Sequence, residues 1–174
     1  MEYIIGIGSN LGDKIKNIKS SILYIKQYFK ILSISSIFVS KALLKSNYLN
    51  QWDKEYFNLV ILIDCKIHPV TLLRILKLIE LTMGRIDYTP IWSPRIIDLD
   101  ILMGDGLTLY TPKLKIPHLE FLNRSFTLIP SKEIAPNMLY SNTSSTIRDL
   151  YHKLKDDKPK NDCRQLYNMA SSSI

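Results

Sequence analysis

The chain has 174 residues, 46% hydrophobic and 22% charged, a balance that predicts one globular domain with a real core and apolar runs too short to span a bilayer. The start MEYIIGIGSN lacks the basic region and cleavage site of a signal peptide, and Cys65 and Cys163 lie outside any CxxC pattern, so we expect reduced thiols in a cytoplasmic protein. The formal net charge of +7 indicates an anionic partner, which could be a nucleic acid, a membrane surface or a polyphosphate.

The first half of the chain alternates strand and helix patterns. A short buried strand is predicted over 3–8, a second strand rich in β-branched residues over 31–40, and a third over 56–64. The polar segment 41–55 is expected to be a long loop. An amphipathic helix is predicted over 13–29, because apolar residues recur at intervals of three and four: Ile15, Ile18, Ile22, Ile25 and Phe29.

The second half begins with another helix and then becomes irregular. His68-Pro69 opens this helix, since proline suits the first turn, and Gly84 ends it as a C-cap. A proline-containing loop over 84–95 precedes a strand with two aspartates. A hairpin around 104–106 and a short helix near 124–130 are expected after it.

The order β-α-β-β-α-β predicts an α+β fold of the ferredoxin-like type, with a C-terminal extension of helix and hairpin. In that arrangement two helices cover one face of an antiparallel sheet, and the other face is available for a ligand. We expect a single domain over 1–155 and a polar, loosely ordered tail over 156–174.

The stretch WSPRIIDLDIL, residues 92–102, places two carboxylates inside an apolar run. Asp98 and Asp100 alternate with Leu99 and its apolar neighbours, which predicts a strand with both carboxylates on one face, about 6–7 Å apart. Two like charges at that distance repel unless a cation lies between them or water screens them. A metal site and an acidic solvent face both remain open on this stretch alone.

Basic residues flank this strand in the predicted loops, where functional side chains are common: Arg85, Arg95, His118 and Arg124. Carboxylates beside arginines suggest Mg²⁺ with a polyphosphate, because hard cations take oxygen ligands and arginine binds phosphate oxygens. Surface salt bridges to the aspartates are the alternative. They explain Arg95 well and His118 poorly.

Two further motifs are ambiguous by themselves. Tyr56 and Asn58 share a strand face, where they could stack on and hydrogen-bond a flat heterocycle or simply pack in the core. The stretch GIGSNLG misses both the G-x-G-x-x-G and the P-loop spacing, so a tight turn from strand to helix is the better interpretation.

Taken in order, several motifs resemble one family: GSN at 8–10, YFN at 56–58, IE and GR between 79 and 85, WSPRxxDLDIL, IPH at 116–118 and NRSF at 123–126. Over residues 3–140 the chain resembles the 6-hydroxymethyl-7,8-dihydropterin pyrophosphokinases of folate synthesis. The resemblance implies transfer of diphosphate from ATP to the hydroxymethyl group of the dihydropterin, with release of AMP.

The resemblance also implies roles for individual residues. Asp98 and Asp100 would hold two Mg²⁺ ions on the triphosphate and, with Arg85 and Arg95, form the catalytic set. The ATP site would comprise Glu80, Arg85, Arg95, Ile101, His118 and Arg124. The pterin site would comprise Ser40, Leu43, Tyr56, Asn58, Trp92 and Phe126, with the Tyr56 and Phe126 rings on either side of the pterin and Trp92 on a closing loop.

The partners implied are ATP and a dihydropterin, without nucleic acid or membrane. We expect a monomer, and a module of a longer folate enzyme stays open. The alternative is a non-enzymatic RNA-binding ferredoxin-like domain, which shares the element order and the basic charge. That class needs an aromatic run of the RNP1 type, which the sequence lacks, and paired aspartates on its sheet would repel phosphate unless a metal were bound.

Overall fold

The computed structural model describes residues 1–41, 55–85, 93–154 and 163–167. These residues form a mixed fold of helices and an antiparallel sheet, which agrees with the α+β class predicted from the sequence. In chain order the elements are β1 (Glu2–Ser9), α1 (Lys14–Lys26), β2 (Lys30–Ile34), β3 (Ile37–Ser40), β4 (Tyr56–Asp64), α2 (Pro69–Thr82), β5 (Asp98–Gly104), β6 (Leu109–Tyr110), β7 (Lys115–Ile116), α3 (Ser125–Ile134), α4 (Ile147–Leu154) and β8 (Cys163–Tyr167). No helix of these described segments is long and apolar enough to cross a membrane.

The main sheet has six strands in the order β5-β1-β4-β3-β8, with β2 also paired to β4, and every pairing is antiparallel. β1 lies between β5 and β4, and its residues Ile4, Ile5 and Ile7 are buried. β5, the strand with the two aspartates, lies at the edge of the sheet. One side of β5 is therefore left for contacts with a helix.

The single strand predicted over 31–40 is wrong, because Ser35 and Ser36 interrupt it. Both serines are fully buried, and their hydroxyl groups form hydrogen bonds inside the protein. The Ser35 hydroxyl accepts a hydrogen bond from Val60 N at 3.0 Å, and Ser36 donates to Glu133 Oε1 from its backbone N at 3.0 Å and its hydroxyl at 2.8 Å. The break divides the segment into β2 and β3, both of which pair with β4.

The sheet is covered on both faces. Helices α1 and α2 pack on the face that carries Ile5, Ile61 and Ile63. The opposite face, with Ile4 and Val60, packs against α3 and α4. The second face, which was expected to be available for a ligand, is thus covered in part by the C-terminal helices, and its uncovered part forms a cavity.

The C-terminal extension also differs in detail from the sequence expectation. The hairpin joins β6 to β7 and turns at 111–114, where Thr111 N donates to Leu114 O at 2.9 Å, so the expected hairpin around 104–106 is only a turn. The helix expected near 124–130 continues to Ile134. The expected loose tail is wrong for residues 163–167, which form β8 against β3. The remaining tail and most of the two predicted loops lie outside the described residues.

Candidate active site

A cavity of about 240 Å³ lies where β1, β4 and β5 meet the start of α3. Gly6 and Gly8 of β1 line it, together with residues of the neighbouring elements. Nine of the residues predicted for the site line this one cavity: Ser40, Tyr56, Asn58, Arg95, Asp98, Asp100, His118, Arg124 and Phe126.

Asp98 is held by two arginines. Its Oδ1 accepts a hydrogen bond from Arg85 Nη1 at 2.5 Å, and its Oδ2 accepts one from Arg95 Nη1 at 3.2 Å. Burial works to raise the pKa of Asp98, but the nearby positive charges, led by Arg95, outweigh it and hold the pKa below the ordinary value of 3.8. Asp98 is therefore an ionised carboxylate at neutral pH.

Asp100 is the more open carboxylate of the pair, with 44% of its side chain exposed against 26% for Asp98. Its Oδ1 lies 3.5 Å from Nζ of Lys77, a residue of α2. Both aspartates line the cavity, as the alternation in the sequence predicts. Each is paired with cations that approach from the edge of the sheet.

Glu80 organises that edge. It is buried in α2, and its Oε1 accepts hydrogen bonds from Leu99 N at 2.6 Å and Lys77 Nζ at 2.7 Å, while Lys77 Nζ also donates to Leu99 O at 2.8 Å. The other oxygen of Glu80 lies 2.8 Å from Arg85 Nη1. Glu80 and Lys77 thus provide hydrogen-bond partners for the backbone N–H and C=O of Leu99, the residue between the two aspartates. A neighbouring strand would otherwise provide such partners.

Buried charges in this cluster compensate one another. Burial raises the pKa of Glu80, and Lys77 and Arg85 oppose that shift. For Lys77, burial works to lower the pKa, but Asp100 and Glu80 raise it above its ordinary value. Sequence reasoning missed Lys77. The available signal was its spacing three residues before Glu80 on a predicted helix.

The GSN motif fixes the segment before β5. Arg95 N donates to Asn10 Oδ1 at 2.7 Å, Asn10 N donates to Arg95 O at 3.2 Å, and the Ser9 hydroxyl donates to Ile96 O at 2.5 Å. These bonds connect the turn after β1 to the residues that carry Arg95 into the cavity. The role of Ser9 and Asn10 in positioning Arg95 was also missed from the sequence.

An amide and two aromatic side chains also line the cavity. Asn58 Nδ2 donates to the Ser40 hydroxyl at 2.9 Å, which fixes the orientation of the amide. A Cβ atom on Gly8 would lie 3.3 Å from Asn58 Oδ1 and 3.7 Å from the Tyr56 ring, so the glycine keeps this wall open. Burial raises the pKa of Tyr56 and keeps its hydroxyl neutral. Phe126 lines the same cavity.

His118 and Arg124 complete the basic lining. The His118 ring accepts a hydrogen bond from Glu120 N at Nδ1, at 3.2 Å, so in the neutral ring Nε2 carries the proton. The Arg124 guanidinium lies 5.8 Å from the centroid of the Phe126 ring, and its buried Nε makes no hydrogen bond. Its nearest carboxylate oxygen is that of Glu120, at 3.9 Å.

Of the predicted site residues that the structure describes, three are not among the cavity lining: Glu80, Arg85 and Ile101. Arg85 donates a hydrogen bond to Asp98, which does line the cavity, and Glu80 is buried behind β5. The Ile101 side chain packs in the core on the helix side of the sheet, and its place in the ATP site remains a prediction. Leu43 and Trp92 lie outside the described residues.

The donor set fits a hard divalent cation that arrives with a ligand. Within the described ranges, no cluster of three or more His, Cys, Asp or Glu side chains is arranged to hold a metal. Mg²⁺ is commonly bound by one or two carboxylates and completes its shell with water and phosphate oxygens. Asp98 and Asp100 supply such a pair, and the cavity beside them is lined by Arg95, His118 and Arg124.

Comparison with protein families gives one family. The model of the 7,8-dihydro-6-hydroxymethylpterin-pyrophosphokinase (HPPK) family matches residues 4–136, which include both aspartates and every described site residue. The chain belongs to the HPPK family. The resemblance in its sequence is thereby confirmed, and with it the prediction of an ATP-dependent diphosphotransferase of folate synthesis. The RNA-binding alternative is set aside.

Relatives of similar length carry the same family name. The 2-amino-4-hydroxy-6-hydroxymethyldihydropteridine pyrophosphokinase of Aquifex aeolicus is 34% identical over 158 residues, which are 90% of each chain. That of Haemophilus influenzae is 32% identical over 155 residues, 88% of this chain and 93% of the relative. By contrast, folic acid synthesis protein FOL1 of Dictyostelium discoideum is 35% identical over 78% of this chain, but the match spans only 20% of that longer protein.

Solved structures share the fold. A crystal structure of HPPK-DHPS in complex with substrates aligns with a TM-score of 0.66 at 17% identity, over 95% of this chain and 47% of that one. A Plasmodium falciparum HPPK-DHPS triple mutant aligns with a TM-score of 0.70 at 16% identity, over 95% of this chain and 45% of that one. The chain therefore spans about half the length of these two-part proteins.

Proposed function

We propose that the cavity binds ATP and 6-hydroxymethyl-7,8-dihydropterin side by side and transfers diphosphate from ATP to the pterin hydroxymethyl oxygen, with release of AMP. The observation that carries this proposal is that one cavity is lined by two chemically different sets of side chains. Asp98, Asp100 and Arg95 are charged, whereas Tyr56, Asn58 and Phe126 offer two aromatic rings and an amide. A donor with a triphosphate and a flat acceptor need such a combination.

The basic residues bind the triphosphate in this proposal. Arg95, His118 and Arg124 line the cavity, and Arg124 has a buried N–H without a hydrogen-bond partner, which a phosphate oxygen would satisfy. The His118 ring presents Nε2–H as a further donor. Donors that are fixed before the substrate arrives stabilise negative charge as it grows on the transferred group, without reorganisation.

Asp98 and Asp100 would hold Mg²⁺, and two ions are proposed with the bound triphosphate. When bound there, Mg²⁺ neutralises phosphate charge and polarises the phosphoryl oxygens. Three cations pair with the aspartates in this structure: Arg85, Arg95 and Lys77. When the metal binds, Arg95 would turn to phosphate oxygens, whereas Arg85 and Lys77 keep Glu80 as a partner. Arg85 has that second partner at 2.8 Å, so it keeps a carboxylate when Asp98 turns to the metal.

The two aromatic residues of the lining, Tyr56 and Phe126, would bind the pterin ring. Tyr56 and Phe126 provide flat apolar surfaces for stacking, and Asn58 has an amide whose orientation is fixed by Ser40. A pterin presents several ring N–H groups and nitrogens in one plane, which an oriented amide recognises. Contacts of Leu43 and Trp92 with the pterin, and closure of the loops that carry them, remain predictions.

The wider assignments of fold and assembly rest on the same features. The order β5-β1-β4-β3 of antiparallel strands, with α1 and α2 as the helical connections on one face, supports a ferredoxin-like arrangement. We assign residues 1–155 to one domain that acts as a monomer in the cytoplasm. The match to only 20% of FOL1 of Dictyostelium discoideum supports the alternative that such a domain also serves as a module of a longer folate enzyme.

Product analysis tests the proposed reaction. The purified chain is incubated with ATP, Mg²⁺ and 6-hydroxymethyl-7,8-dihydropterin, and nucleotides and pterins are separated by chromatography and identified by mass. We expect AMP and pterin diphosphate in equal amounts, and no AMP when the pterin is omitted. Formation of ADP, or of AMP without pterin, would contradict the proposal.

A further inference from the structure

Lys77 makes three contacts at one point on the edge of β5. Its ammonium group lies 2.7 Å from Glu80 Oε1, 2.8 Å from Leu99 O and 3.5 Å from Asp100 Oδ1. An ammonium group has three N–H donors; two of them form hydrogen bonds to Glu80 and Leu99 O, and the contact with Asp100 is an ion pair. Two short bonds hold the charge in place, and the third, longest contact faces the cavity.

The position of this charge has a consequence for cation binding. A fixed positive charge within 4 Å of a carboxylate stabilises it and competes with any other cation for the same oxygens. Lys77 does not need Asp100 to stay in place, because Glu80 and Leu99 O retain it. Asp100 can therefore turn from Lys77 to an incoming metal ion without leaving a buried charge unpaired.

We infer that Lys77 is a positioning residue that holds Asp100 in the free chain and weakens the binding of a free divalent cation by the aspartate pair. A cation then binds well only when a polyphosphate supplies further oxygen ligands. This inference rests on the proposed function, since it assumes that Asp98 and Asp100 hold the metal. It adds that the cation binds together with the polyphosphate rather than before it.

Binding of Mn²⁺ alone tests the inference without turnover. Free Mn²⁺ is measured by electron paramagnetic resonance in titrations of the wild-type chain and Lys77→Gln, with no nucleotide present. Glutamine retains hydrogen-bond donors for Glu80 and Leu99 O but removes the charge. We expect Lys77→Gln to bind Mn²⁺ about five- to tenfold more tightly, as loss of one close but partly solvated like charge would give.

The control is Arg74→Gln, which removes a positive charge from an exposed position of the same helix and leaves the three Lys77 contacts in place. We expect its Mn²⁺ affinity to stay within about twofold of wild type, because screening weakens more distant exposed charges. Unchanged or weaker binding in Lys77→Gln would overturn the inference. A purely structural role for Lys77 predicts weaker binding, since Asp100 would lose its support.

Two additional variants make the result decisive. Asp100→Asn must weaken Mn²⁺ binding; if it does not, the metal site of the proposed function fails, independently of Lys77. If Lys77→Gln does not fold, Lys77→Met removes the positive charge and leaves the buried Glu80 paired with Arg85 at 2.8 Å, so that no buried charge is left uncompensated. Tighter Mn²⁺ binding by at least about twofold is again expected there, and wild-type or weaker affinity again overturns the inference.

Discussion

Asn10 and Arg95 hold each other through two hydrogen bonds: Arg95 N donates to Asn10 Oδ1 at 2.7 Å, and Asn10 N donates to Arg95 O at 3.2 Å. Asn10 is buried in the turn that follows β1, whereas Arg95 precedes β5. The pair therefore fixes the backbone from which the Arg95 side chain reaches Asp98. It gives the GSN motif a positioning role in place of a phosphate cradle.

Substitution Asn10→Ala should impair both stability and turnover. Loss of the acceptor leaves Arg95 N without its partner, which costs about 1–3 kcal/mol of unfolding free energy. A small displacement of Arg95 should also lower kcat by about tenfold or more, since misplaced catalytic groups are costly. Urea denaturation and steady-state kinetics measure the two effects.

Asn17→Ala is the matched control for this prediction. Asn17 also binds the turn after β1, through Leu11 O at 2.8 Å and the Ser9 hydroxyl at 3.2 Å, but it does not contact Arg95. We expect it to lose stability and to retain most of its kcat. Equal kcat losses in both variants would show that general loosening of the turn, and not Arg95, is responsible.

Phe126→Ala should affect the pterin more than the nucleotide. Loss of one stacking face costs about 1 kcal/mol or more beyond the buried area, so KM for the pterin should rise at least about tenfold while KM for ATP changes little. Phe126→Leu keeps an apolar side chain without a ring, so its KM for the pterin should lie between those of wild type and Phe126→Ala. A rise in KM for ATP alone would place Phe126 at the nucleotide instead, through its contact with Arg124.

Gly8→Ala should narrow the cavity beside Asn58 and Tyr56, where the pterin is proposed to bind. The added Cβ would meet Asn58 Oδ1 at 3.3 Å, and the amide is held by Ser40 and is not free to retreat. Fluorescence titration with the pterin should show at least about fivefold weaker binding, as for other small steric intrusions into a packed site. Gly6→Ala is a useful contrast, since its Cβ meets the Leu102 side chain instead. Wild-type pterin affinity in Gly8→Ala would contradict this geometry.

The start of α4 should contribute to acid sensitivity. Asp149 Oδ2 accepts hydrogen bonds from the Thr146 hydroxyl at 2.6 Å and Thr146 N at 2.8 Å, and these bonds lower the pKa of Asp149 below its ordinary value of 3.8. A carboxyl with a lowered folded-state pKa stabilises the fold above the unfolded-state pKa, and that contribution is lost as pH falls through the folded-state value.

Asp149→Asn should therefore be less stable than wild type at neutral pH and should lose less stability on acidification below about pH 4. Urea unfolding of both chains between neutral pH and pH 3 measures the difference. Parallel stability curves, with the same fall in acid, would show that the Asp149 cap does not contribute.

Periodic patterns in the sequence correctly predicted features that lie within single helices and strands. Alternation around Asp98 and Asp100 placed both carboxylates on one strand face, and the apolar spacing of α1 and α2 located both helices. Motif order then identified the family. These features depend on local periodicity or on short motifs, so a single sequence contains them.

The remaining features depend on contacts between distant segments. Lys77 and Glu80 bond to Leu99, about twenty residues away, and Ser36, between β2 and β3, bonds to Glu133 of α3. β8 is a short segment with exposed residues that becomes a strand because the edge of β3 is available. In each case a contact with a distant segment decides the local structure, and such a contact leaves no periodic pattern in the sequence.

The most direct test of the account is the rate of pterin-dependent AMP release by Asp98→Asn, compared with wild type and with Asp64→Asn. Asparagine removes the charge that would hold Mg²⁺ and that pairs with Arg85 and Arg95, so we expect a loss of at least about a thousandfold. Asp64→Asn removes an exposed carboxylate at the end of β4, 3.3 Å from the N-terminal amine, and should remain close to wild type. If Asp98→Asn, folded as judged by thermal unfolding, kept more than about a tenth of the wild-type rate, the carboxylate pair would not be the centre of this site.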